Sequence, residues 1–93
     1  MRGMSDAELW ELAARKGLPW FRFLRRSVTS EQLETAFAGG LLEAEWHALK
    51  AAIQPGDTIW PFEVHVRRVL GMRRGYVVLR AGKPVGGLVT TVS

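Results

Sequence analysis

Apolar and polar positions change rhythm near the middle of the chain. In the first half the apolar residues recur at helical spacing. Behind Ser5-Asp6-Ala7-Glu8, which has the form of a capping box, Leu9, Leu12 and Ala13 fall on one face up to Lys16. Gly17 and Pro19 stop that helix. The run Trp20–Arg26 reads best as a short amphipathic helix. At 100° per residue Trp20, Phe21, Phe23 and Leu24 fall within about 160° of arc, with Arg22, Arg25 and Arg26 opposite. A second capping box, with Thr29 or Ser30 as cap and Gln32 in the run, opens a helix whose stripe is Leu33, Ala36 and Phe37. Gly39-Gly40 breaks it. A longer helix follows, with Leu42, Trp46, Leu49 and Ile53 in line, and ends in the turn Gln54-Pro55-Gly56-Asp57.

From Thr58 onward the rhythm is that of strands. Thr58-Ile59-Trp60 is extended, and Pro61 suits an edge or a bulge. Residues 63–72 fit either period, with Val66, Val69 and Leu70 favouring a short helix before Gly71. Gly75–Leu79 and Val85–Val92 are strands, and Arg80-Ala81-Gly82 suits a three-residue hairpin loop. That loop would pair Leu79 with Lys83, Val78 with Pro84, Val77 with Val85 and Tyr76 with Gly86. Pro84, which has no N–H, then places the last strand at an edge. The expected fold is a single α+β domain over residues 1–93. Residues 1–54 are mainly helical and 56–93 mainly β. Helices at about 6–16, 20–26, 30–38 and 41–53 would pack on one face of a small antiparallel sheet from 58–62, 75–80 and 83–92.

The later motifs carry a resemblance. Gly56-Asp57-Thr58-Ile59-Trp60, Arg74-Gly75-Tyr76, Arg80-Ala81-Gly82-Lys83 and Val89-Thr90 together resemble small uncharacterised bacterial proteins. Those proteins have a Gly-Asp-x-Ile/Leu-Trp strand followed by a C-terminal β-hairpin. The resemblance covers about the last forty residues. It implies a fold element and no activity. Where such proteins often carry Asp before the turn glycine, this chain has Ala81.

Composition narrows the chemistry. The 93 residues are 47% hydrophobic, enough for a core, and contain no cysteine. Disulfides, thiolate metal sites and a cysteine nucleophile are thereby excluded, and a reducing, cytoplasmic setting is the expectation. No run resembles a signal peptide, and none approaches the ~20 apolar residues of a membrane span. Of the 13 basic residues most are Arg, and the net charge is +4. Residues 1–27 and 58–93 are basic, whereas 28–57 are acidic. Basic ends flanking an acidic middle point first to internal neutralisation.

Catalytic constellations are weak. His47 lies one turn after Glu43, but about 140° from the Leu42 direction, beside Lys50. It reads as part of a surface ion-pair row, and His65 sits in a Val-rich run, so no metal set is expected. There is no Gly-x-Ser-x-Gly elbow, no P-loop spacing at Gly82–Gly87 and no zinc-finger spacing. No catalytic residue, cofactor or small-molecule site is therefore expected. Two surfaces remain. The hairpin is apolar on both faces, and one layer of helices covers one. Tyr76, Val78, Pro84 and Leu88 form the other, which suits a protein partner or a second copy. Arg22, Arg25, Arg26, Arg67, Arg68, Arg73 and Arg74 form a basic surface suited to nucleic acid. The expected function is a non-enzymatic protein-interaction module using the sheet face, its edge or self-association. The alternative is a nucleic-acid-binding protein.

Overall fold

A computed structural model describes residues 6–16, 21–23, 26–65 and 72–92. The elements run α1 (Asp6–Lys16), β1 (Phe21–Phe23), α2 (Ser30–Phe37), α3 (Glu43–Ala52), β2 (Thr58–His65), β3 (Met72–Arg80) and β4 (Lys83–Val92). The strands form one antiparallel sheet in chain order, so every described neighbour pair is also a sequence neighbour. The class is α+β, with the helices in the N-terminal part and most of the sheet in the C-terminal part.

Alternation along β2 and β3 makes two faces. One carries Ile59, Pro61, Glu63, Arg74, Tyr76 and Val78. The other carries Trp60, Phe62, Val64, Val77 and Leu79. Helices cover both. α1 lays Leu9 and Ala13 on Phe62, Val64 and Val77, with Trp10 edge-on to Phe62 at 5.4 Å between ring centroids. α2 and α3 lay Leu33 and Trp46 on Ile59, Val78 and Leu88. The expectation of helices on one face alone is therefore corrected. The sheet is the middle layer of three, because each of its faces is apolar and each needs a cover.

Local chemistry explains most boundaries. Thr29 caps α2: its Oγ1 accepts from the Gln32 N–H at 3.1 Å, and Gln32 Oε1 accepts from the Thr29 N–H at 2.8 Å. The first capping box begins at Ser5, outside the described residues. β2 runs straight through Pro61, which was expected to cut it short. On the side away from β3, β1 pairs only with Phe62–Val64 and Val28 bridges to Ile59. Pro61 sits in the gap between them, where its missing N–H has no ladder to break.

Residues 21–23 are a strand, not the helix expected over 20–26. Phe21 and Phe23 lie opposite Val64 and Phe62, and Phe23 meets Trp60 at 5.6 Å between centroids. Pairing with β2 outweighs the helical spacing of a run too short to hold a helix alone. In the stretch 63–72, Glu63–His65 extend β2 and Met72 opens β3. The helix expected at Val66–Leu70 lies outside the described residues.

The β3–β4 hairpin is tighter than a three-residue loop. Arg80 pairs with Lys83, leaving a two-residue turn in which Ala81 (φ 54°) and Gly82 (φ 79°) are both left-handed. This is the conformation of a type I′ turn. Register shifts then fall between Val78 and Leu79 and between Arg74 and Gly75, so Val85 and Thr90 are the extra residues on β4. Tyr76 therefore faces Leu88, and Val78 faces Gly86.

Candidate functional site

Gly86 and Gly87 give β4 its particular surroundings. A Cβ on Gly86 would lie 3.2 Å from Leu49 Cδ1 of α3. A Cβ on Gly87 would lie 2.3 Å from the Trp10 ring of α1. The two glycines thus let a helix approach each face of one strand. Among the described residues β4 has a neighbour on one side only, β3. Along its open side runs a slot of about 570 Å³, with Trp10 on one wall and Leu42, Glu45, Ala48, Leu49 and Ala52 on the other. Gly86–Val89 form its floor.

The direction of the β4 backbone follows from the hairpin. In a two-residue hairpin the closing pair, Arg80–Lys83, is hydrogen-bonded and the next pair, Leu79–Pro84, is not. Past the Val85 bulge, Val78–Gly86 is bonded, so Gly87 and Val89 turn their N–H and C=O groups toward the slot. Pro84 is at an outward position too, where it removes a donor from the open edge and nothing from the hairpin. Val85 is 44% exposed at the mouth of this edge.

The expected partner face is not available. Val78 is fully buried and Leu88 nearly so, both under α2 and α3, while Tyr76 is half-buried with its ring edge-on to Phe37 at 6.0 Å. Of Tyr76, Val78, Pro84 and Leu88, only Pro84 and the Leu88 backbone border open space at the β4 edge. The second apolar face closes on the chain's own helices.

The basic set is also dispersed. Arg22 and Arg26 are exposed. Arg73 is buried, on the face under α1. Arg74 Nε donates to Glu63 Oε1 at 3.0 Å. Arg25, Arg67 and Arg68 lie outside the described residues. Arg22, Glu63 and Arg74 form a row across β1, β2 and β3, and His65 Nε2 lies 2.7 Å from Glu63 Oε2. The His65 contact, then Arg74, holds the Glu63 carboxyl below the usual carboxylate range. Beside this row a hollow of about 230 Å³ is lined by Val28, Pro61, Tyr76 and Thr90. Among the described residues no hydroxyl joins the Glu63–His65 contact, and no three potential metal ligands converge.

Two ion-pair clusters hold the frame and were not legible as such. Glu34 of α2 accepts from Lys50 Nζ at 2.6 Å and from the indole N–H of Trp46 at 3.0 Å, with His47 Nε2 3.4 Å away. Lys50 and then Trp46 bring the Glu34 carboxyl down to about 2. The expected surface row of His47 and Lys50 is present, but its acid is Glu34 across the helix pair rather than Glu43. Asp57, with a side chain 1% exposed, accepts from Arg80 Nε at 3.0 Å and Nη2 at 2.9 Å. It also accepts from the Gln54 N–H at 2.9 Å. Arg80 Nη2 in turn donates to the Ala52 carbonyl at 3.2 Å. This fork ties the end of α3 to the hairpin. Only the Asp-containing turn was a signal, since the partner is 23 residues away.

Comparison of the chain with protein-family models, with curated proteins and with solved structures finds no match. Among the described residues no helix is long and apolar enough to cross a membrane.

Proposed function

We propose that this chain is a non-enzymatic protein-interaction module that takes an extended polypeptide strand along the open edge of β4. The slot between α1 and α3 carries the proposal. Its floor is a strand edge with outward N–H and C=O groups, and its walls are apolar on both sides. An added strand gains main-chain hydrogen bonds from the floor and apolar contact from Trp10, Leu42 and Leu49. A small-molecule or catalytic cleft would bring polar side chains together, whereas here one carboxylate, Glu45, lines the slot. The Asp57–Arg80 fork joins two motifs of the bacterial resemblance, which supports reading that resemblance as a shared fold element.

Selection from a displayed library of random peptides, followed by amide chemical-shift mapping with the best binder, tests the proposal. Shifts should concentrate on Gly86–Val89, Trp10 and Ala48. Binders that map to the helix surfaces or to Arg22 and Arg26, or a library that yields none, would reject it.

A further inference from the structure

We infer that the occupant of the slot is β4 of a second copy of this chain, so that two sheets join into one across a two-fold axis at Leu88. This rests on the interaction-module proposal and names its partner. Three observations carry it.

The first is the absence of protection along the edge. Soluble proteins blunt free edges with charge, proline or bulges. β4 has Lys83 and Pro84 at its start and bulges at Val85 and Thr90. From Val85 to Val92 it carries no charge. The devices bracket the window Gly86–Val89 and leave it open, the same window that floors the slot.

The second is self-complementarity. A two-fold interface needs one surface to hold both halves of each contact. The outward residues of the window, Gly87 and Val89, are symmetric about Leu88. Antiparallel pairing centred there sets Gly87 against Val89 of the second copy and Val89 against its Gly87. Each is a bonded pair with two N–H···O=C bonds, four in all. The Val89 side chain of one copy then lies beside the bare backbone of Gly87 in the other.

The third is the wall. Ala48 and Ala52 line the slot and both are exposed, one helical turn apart on α3. The axis carries α3 to the same side of the joined sheet as its mate. Small side chains there let the two helices approach over the seam, where long ones would hold the strands apart.

Sedimentation velocity over a roughly hundredfold concentration range, with amide hydrogen exchange at both ends of it, decides the matter. The expected result is a concentration-dependent dimer in which the Gly87 and Val89 amides gain protection as it forms. Ala48→Arg should remain monomeric with unchanged circular dichroism. Ala51→Arg, at an exposed α3 position outside the slot, should dimerise like the parent. A monomer throughout, or a dimer in which Gly87 and Val89 exchange at monomer rates, overturns the inference. If the monomer nonetheless shows library-peptide shifts at Gly86–Val89, the interaction-module proposal survives and only the occupant is wrong.

Discussion

Ala81 occupies a backbone position suited to glycine or asparagine. At φ 54° its Cβ crowds the neighbouring carbonyl, at a cost of roughly 1–2 kcal/mol for an L-residue. Asn at the first position and Gly at the second are the preferred pair of a type I′ turn. Ala81→Asn should recover about 1 kcal/mol, raising Tm by roughly 4–8 °C in a domain of this size, read by thermal circular dichroism. An unchanged Tm would mean that Ala81 carries no strain. Gly87 is constrained by contact instead. The Trp10 ring occupies the space of a Cβ, so Gly87→Ala should cost about 1–3 kcal/mol by overpacking. Replacing Trp10 with Leu removes the obstacle. Urea titration of the two single variants and the double should show clear non-additivity. Gly75 is tighter still, since its Cβ would run into the Leu88 carbonyl backbone, and Gly75→Ala should prevent the native β3–β4 register.

At the scale of elements, helix pairing and the α3–hairpin join rest on carboxylates. Glu34 titrates at about 2 when folded, and Asp57 and Glu63 are also lowered, so all three bind protons more readily unfolded. Their contribution is complete above the unfolded values of 4.5 for Glu and 3.8 for Asp, and fades as pH falls through the folded ones. The urea midpoint should therefore fall steadily from about pH 4.5 toward 2. Glu34→Gln should flatten part of that slope, and a slope identical to the parent's would remove Glu34 from the account. Arg80→Lys keeps the charge but loses the two-nitrogen fork on Asp57 and the bond to the Ala52 carbonyl. It should lower Tm despite the retained charge.

Over the whole molecule, the sheet is a middle layer and its edges differ. β1 is three residues long, whereas β4 is ten. Native-state exchange should find the slowest amides in β2 and β3, between both helical layers, and fast ones in β1. The lack of protection on β4 ties this architecture to function. A molecule with two covered faces has its edge left as a site of association.

Helical spacing, capping residues and turn glycines placed α1, α2, α3 and the last two strands within a few residues, because those signals act over one turn of chain. The helix–strand order also made the α+β class legible. Residues 20–26 were misread because their period is helical while their partner is β2, some forty residues on. The hairpin register turned on two bulges, which follow from how a twisted strand fits beneath two helices. The free face at Tyr76, Val78, Pro84 and Leu88 was counted correctly as apolar, but three-dimensional packing assigned α1 to one side and α2–α3 to the other. Asp57 and Arg80, Glu34 and Lys50, and the slot over Gly86-Gly87 join residues far apart in sequence. Only the folded chain brings them within bonding distance, so only the tertiary structure moved the candidate site from the sheet's face to its edge.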